Sequence, residues 1–319
     1  MHAIETRDLS KSYGPVQALD SVSFSVQKGE IFGYLGPNGA GKTTTIRILT
    51  GITRPTGGNA FISGHNIQEE TWEAKRELGI VPETSNVYDD LSAWDNLLFT
   101  GDLYNVPRSA CEDKARELLE TFDLSARRLD KVHGFSKGMK RRLTLAMGLI
   151  NSPKILFLDE PTSGLDVQSN LIIRQVITDL HADGVTVFLT THNIEEANIL
   201  CDRVAIVNHG RIAAIDAPER LKKTIQSSQS IEVAFDRILP DFNGDLSALP
   251  LVNSVQKEGD KFRIYTDDPS RTLPAIVDYA KARDLKILSL VTLGPSLEDV
   301  FIRLTGLTPT PARRREETP

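Results

Sequence analysis

Sulfur and tryptophan are scarce in this 319-residue chain, which has two cysteines, three methionines and two tryptophans. Cys111 and Cys201 form no C-x-x-C pair and no framework spacing. That excludes a disulfide-stapled secreted miniprotein and predicts two free thiols in a reducing compartment. A surplus of positive charge is also missing. The formal net charge of −6 gives no electrostatic ground for a nucleic-acid partner, whose backbone needs a clustered positive field. No run reaches the roughly 20 apolar residues of a membrane-spanning helix. Stretches such as 145–150 (LAMGLI) and 155–158 (ILFL) have the length of buried elements instead. The start, MHAIETR, has no apolar core behind it, so no signal peptide is expected. If such a chain works at a membrane, it sits there through a partner.

What is present suits a globular protein of two domains: 40% hydrophobic and 25% charged residues over a length too great for one typical domain. Short apolar runs at 22–26 (VSFSV) and 31–35 (IFGYL) predict strands, and TTTIRILTG at 43–51 predicts a helix with Ile46, Leu49 and Thr50 on one face. LGIV, ahead of Pro82, predicts another strand. From about 84 to 150 the pattern is largely helical, with Leu118 and Leu119 in one segment and Leu143, Leu145, Met147 and Leu149 in another. Strands return at 155–158 and 185–190, separated by a helix over 168–182 whose inner positions are expected to be Leu171, Ile172, Val176 and Leu180. This alternation predicts a mostly parallel sheet. Two further strands, 203–207 and 211–215, flank a His-Gly turn.

Beyond the polar run LKKTIQSSQS the character changes. Strand patterns at 231–235, 252–255, 261–265 and 285–291, with helical patterns at 272–283 and 296–304, predict a small α+β domain over 229–306. The tail 307–319, rich in proline and charge, is expected to be disordered.

Residues 36–43 read GPNGAGKT and match G-x-x-x-x-G-K-[ST] at every fixed position, between a strand and a helix. Gly36, Gly39 and Gly41 let the backbone turn its N–H groups inward, with Pro37, Asn38 and Ala40 between them. The helix start adds its positive end, Lys42 offers a point charge to the β- and γ-phosphates, and the Thr43 hydroxyl suits Mg²⁺. ILFLDE at 155–160 is an apolar strand that delivers two carboxylates to its end. Asp159 fits a Mg²⁺ role and Glu160 the polarisation of a water attacking the γ-phosphorus in line. His192, just past another strand end, can reach the same region.

Together these motifs resemble the ATP-binding subunit of ABC transporters of the ABC-2 export type. The resemblance covers about 1–222 as an ATPase domain, with a helical subdomain near 84–150, and extends to the C-terminal domain through PSLEDVFIRLTG at 295–306. It implies an α/β fold of the P-loop nucleoside triphosphatase class, ATP and Mg²⁺ as ligands, and ATP hydrolysis coupled to transport. It also implies that Tyr13 stacks on adenine, that 36–44 with Thr44 is the phosphate loop, and that FSKGM at 135–139 stands for the LSGGQ signature, with Ser136 and Gly138 retained. SGLD at 163–166 resembles the loop that places Asp166 at a dimer seam, and His192 takes the place of the switch histidine. Glu83 stands where the family usually has glutamine and can bind Mg²⁺ or the attacking water with charge. The resemblance further implies a head-to-tail homodimer or heterodimer, in which Ser136 serves the partner's nucleotide. It implies a separate transmembrane permease at the cytoplasmic face of the cell membrane, contacted through residues 84–100 with Tyr88, Trp94 and Phe99. A nucleotide-dependent regulator of a soluble complex is the alternative function. A second ATPase core or long coiled-coil insertion, usual in such soluble members, is missing from this sequence.

Overall fold

The computed structural model describes residues 2–224, 229–237 and 242–306. The tail over 307–319, expected to be disordered, lies outside the described residues. The chain divides into two compact units, Met1–Pro218 and Glu219–Pro319. Among the described residues no helix is long and apolar enough to cross a membrane.

The first unit opens with two long strands, β1 (His2–Tyr13) and β2 (Val16–Gln27), in an antiparallel pair. β3 (Ile31–Leu35), buried at every position, feeds the phosphate loop and α1 (Lys42–Leu49). Then come β4 (Gly57–Ile62), β5 (His65–Asn66), the short α2 (Thr71–Lys75) and β6 (Leu78–Val81). A helical segment follows: α3 (Ala93–Leu103), α4 (Arg108–Thr121) and α5 (Lys137–Leu149). The chain then alternates through β7 (Ile155–Asp159), α6 (Val167–Ala182), β8 (Thr186–Thr191), α7 (Ile194–Leu200), β9 (Arg203–Asn208) and β10 (Arg211–Asp216).

The predicted sheet is six-stranded in the order β10-β9-β3-β8-β7-β6, parallel except for the β9–β10 hairpin. A second, antiparallel sheet, β2-β1-β4-β5, goes beyond the sequence expectation, which places a strand at 22–26 in residues 1–30 and no partner for it. One buried cluster joins the two sheets. Phe24 of β2 stacks on Phe32 of β3 at 5.4 Å, and Phe188 of β8 packs on Phe24, Phe32, Tyr34 and Phe157 at 5.4–5.9 Å. Ile46, Ile48 and Leu49 of α1 close the same cluster, so the helix behind the phosphate loop is anchored by buried apolar area.

Helix α6 corrects one expectation. Its buried stripe is Ser169, Ile173, Val176 and Ile177, whereas Leu171 is 62% exposed. Asp166 caps the helix by accepting from the Ser169 amide at 2.8 Å. Ile173, Val176, Ile177 and Leu180 recur at i, i+3, i+4 and i+7, so Leu171, two residues before Ile173, lies on the opposite face.

The second unit holds α8 (Pro218–Lys223, whose first residue belongs to the first unit), β11 (Gln229–Phe235), α9 (Phe242–Ser247), β12 (Val252–Glu258), β13 (Lys261–Thr266), α10 (Pro269–Ala282), β14 (Ile287–Leu293) and α11 (Leu297–Thr305). Its antiparallel sheet, β12-β13-β11-β14, buries Ile231, Val233, Phe262 and Ile264 in one cluster with Ile276, Tyr279 and Leu285. Helix α9 is not among the predicted elements: its six residues FNGDLS hold a single i, i+4 apolar pair, too little for a period, and a glycine.

Close backbone contact sets α5 against β6. A Cβ on Gly79 would run into the carbonyl oxygen of Gly148 and lie 2.7 Å from Pro153 Cγ. Gly79→Ala should therefore destabilise the fold by about 1–3 kcal/mol, as overpacking does. Chemical denaturation checks this, and an unchanged midpoint would contradict the contact.

Candidate active site

Four strands of the parallel sheet, β3, β8, β7 and β6, end at one edge, and the phosphate loop, Glu83, Asp159, Glu160 and His192 lie at or just past those ends. The loop after β3 is held by its own lysine. Lys42 Nζ donates to the carbonyl oxygens of Gly36 at 2.8 Å and Pro37 at 3.2 Å. Gly41, with φ +104°, caps α1 in a conformation that a side chain would strain, and a Cβ there would lie 2.6 Å from the Ala18 carbonyl oxygen. Thr43 and Thr44 occupy the first turn of α1.

At the end of β7, Asp159 is buried and accepts the Thr190 hydroxyl at 2.5 Å. Glu160 follows in the left-handed region, φ +49°, with its amide bound to the Thr190 carbonyl oxygen at 3.0 Å. A residue other than glycine held there stores strain that its surroundings must hold in place. Its carboxylate is shared: Oε1 lies 3.3 Å from Lys42 Nζ, and Oε2 is 2.8 Å from His192 Nδ1. Lys42 and Glu160 are both more than nine-tenths buried, so each offsets the desolvation of the other. His192 is half exposed beyond β8.

Gly39, Gly41, Lys42, Thr43, Thr44, Asn38, Glu83, Glu160 and His192 line one open cleft of about 490 Å³. Ala40 is buried behind it. Tyr13 does not line this cleft. It stands at the end of β1, 46% exposed with Lys11 over its ring at 5.0 Å, paired with Val16, which does line it. Ser136 and Gly138 also lie outside it. Ser136 caps α5, accepting from the Met139 amide at 3.2 Å. Gly138 packs on the start of α6, where a Cβ would collide with Ser169 Oγ and come within 2.8 Å of Asp166 Oδ2.

Two of the buried charged residues that the sequence analysis does not single out adjoin the site. Arg141, within the run KRR, is 3% exposed. Its spacing from Leu145 and Leu149 put it on the apolar stripe of α5, and that was the available signal. Glu196 of α7 is fully buried and accepts the Thr162 hydroxyl at 2.6 Å, tying α7 to the turn after Glu160.

The donors suited to Mg²⁺ are all oxygens. Thr43 and Glu83 line the cleft and Asp159 lies at the adjoining strand end. Among the described residues no group of three or more His, Cys, Asp or Glu could hold a metal by itself. Such a set fits an ion that keeps water and phosphate oxygens in its shell.

A family model described as ABC transporter matches residues 19–163, and one described as the C-terminal domain of DrrA1-3-like ATP-binding proteins matches 217–305. The linearmycin resistance ATP-binding protein LnrL of Bacillus subtilis is 36% identical over 307 residues, covering 96% of this chain and 99% of that protein. The Nod factor export ATP-binding protein I of Ralstonia nicotianae is 36% identical over 308 residues, 95% of this chain and 94% of its own. A solved dimeric ATP-binding cassette in a post-hydrolysis state with ADP and Pi superposes with a TM-score of 0.62 at 26% identity, covering 67% of this chain and 98% of that one.

Glu196 gives the site a pH signature. Burial raises its pKa, outweighing the Thr162 hydrogen bond. The folded chain therefore holds this proton more tightly than the unfolded chain does. The stability it contributes is complete below the ordinary carboxyl range and is lost as pH rises through the raised value. Glu196→Gln removes that loss. Urea midpoints compared from about pH 4 to 8 should diverge in the variant's favour as pH rises and then run parallel. A pH-independent difference would contradict it.

Proposed function

The chain belongs to the ABC transporter family, and from that premise we propose that it is the ATP-hydrolysing subunit of an exporter whose membrane-spanning part is a separate permease chain. The observation that carries the chemistry is the Glu160 carboxylate held between Lys42 and His192 at a strand end. Lys42 and the first-turn amides of α1 bind the phosphates, and Tyr13 stacks on adenine. Glu160 orients and polarises the attacking water, and His192 holds the carboxylate from the solvent side. Thr43, Asp159 and Glu83 are the residues that would hold Mg²⁺, which when bound neutralises phosphate charge. Glu83, exposed at the cleft, also contacts the attacking water.

Ser136 and Gly138 lie outside the phosphate cleft of their own chain, which supports their use by a second ATPase subunit in a homodimer or heterodimer. The named roles of the two relatives, in linearmycin resistance and Nod factor export, support outward transport. We assign the domain limits 1–222 and 229–306 to motor and C-terminal domain, and the working place to the cytoplasmic face of the membrane, peripherally bound.

Glu160→Gln should lower ATP turnover by about 10²–10⁴-fold while ATP binding survives. Lys42→Ala should instead weaken the ATP titration itself by about ten- to a hundredfold. Turnover retained in the first variant, or an unchanged titration in the second, would overturn these roles.

The permease contact is assigned to the exposed edge-on pair Tyr88 and Phe99, whose centroids are 5.0 Å apart. Trp94, the third aromatic of this segment, is half-buried under Arg116. Charging both exposed rings, as Tyr88→Asp with Phe99→Asp, should abolish recovery of the chain with membranes that contain its permease while basal ATPase activity persists. Undiminished recovery would remove that surface from consideration.

A further inference from the structure

Strands β6 and β7 run parallel up to the pair Val81 and Leu158. β6 then meets Pro82 at once, and β7 reaches Pro161 after Asp159 and Glu160. Proline has no N–H, so neither Pro82 nor Pro161 can donate across the gap between the two segments. Arg141 supplies donors to their carbonyls instead. Arg141 Nε donates to the carbonyl oxygen of Pro161 at 2.9 Å. Nη2 donates to those of Asp159 at 2.9 Å and Glu160 at 3.2 Å. Nη1 donates to that of Glu83 at 3.1 Å and, over a short contact, to that of Pro82. A guanidinium has five N–H bonds, and here each has a carbonyl. The group is fixed by geometry on both sides and by burial around it.

We propose that Arg141 is a positioning residue: it sets the separation of Glu83 and Glu160 across the cleft and links both to the helix that Ser136 caps. The proposal rests on the roles given above to the two acids. Neither acid's side chain touches Arg141 in these hydrogen bonds. The arginine acts through the backbone on which each is mounted. One helix therefore carries Ser136 at its start and, a little over one turn further on, the group that holds both acid segments. A rotation of α5 that follows engagement of Ser136 shifts both acid segments together. Burial pulls the guanidinium down to about 10, while the carboxylates of Asp159, Glu83, Glu196 and Glu160 push it back up. It therefore remains a cation at neutral pH. Lysine keeps that charge but has three donors on one nitrogen and cannot span two strand ends.

The test uses the full chain, with steady-state ATPase kinetics and ATP titration of Arg141→Lys and Arg141→Gln. Rates are normalised to subunits that bind nucleotide, so partial unfolding does not mask the result. The expected result is a fall in kcat of about 10- to 100-fold, of the size that a small misplacement of reacting groups produces. KM and the ATP Kd stay within about threefold of wild type, and lysine rescues no better than glutamine. A kcat per binding-competent subunit within about twofold of wild type, with only a lower melting temperature, overturns the proposal. So does a loss confined to KM. Glu160→Gln separates the two levels. If it retains turnover, the reading of the acids fails. If it loses turnover and Arg141→Lys does not, only the positioning role fails.

Discussion

The register of four parallel strands is the constraint from which the site follows. Leu35 pairs with Thr191, Asp159 with Thr190, and Val81 with Leu158, so β3, β8, β7 and β6 stop at nearly the same level. In a parallel sheet every strand presents its C-terminal end to the same edge, and the loops that leave it converge without any further device. The phosphate loop, Glu83, Glu160 and His192 are four such departures. A slip of one residue would invert the side chains of a whole strand. The ring cluster around Phe188 opposes that slip, because it interlocks β2, β3, β7 and β8 at fixed positions.

Charge is concentrated at that edge, and its cost is met pairwise. Lys42 and Glu160 are nine-tenths buried and face each other, and Arg141 is buried against five carbonyl oxygens. Asp159 accepts a threonine hydroxyl and Glu196 another. Removing one member leaves its partner charged and desolvated, which is more destabilising than losing the contact alone. The cluster is therefore expected to be rigid, and rigidity suits phosphoryl transfer, where positioning and fixed charge supply most of the rate.

Much of this was legible in the sequence because short motifs with strict chemistry report local geometry. IFGYL with GPNGAGKT, ILFL with its two acids, and the apolar run before His192 each read as a strand with its exit, and the structure gives each of them that form. Three of the misses have a common physical origin: the signal lies in partners distant in sequence. Arg141 is defined by carbonyls 18 to 59 residues away, and Glu196 by Thr162, 34 residues away. The antiparallel sheet is defined by pairing β1 with β4 across the phosphate loop. Leu171 is a miss of another kind: six apolar residues crowd positions 171–180 of α6, and the stripe Ile173, Val176, Ile177 is the one the core takes, which leaves Leu171 on the other face.

The Asp166 cap bears on how two regions of the surface move. Gly138 leaves no room for a Cβ against Ser169 and Asp166, so the start of α5 and the start of α6 touch nearly backbone to side chain. The hydrogen bonds from the Ser169 amide and hydroxyl hold Asp166 in place and keep its carboxyl below the usual range. The two segments that family resemblance assigns to a partner subunit, the signature at Ser136 and the loop ending at Asp166, are thus one rigid corner. Arg141 extends that corner inward to the ends of β6 and β7. In the positioning role proposed for Arg141, contact made at the corner by a second subunit would reach the acids as a displacement of packed elements, because close-packed interiors transmit strain with little compliance.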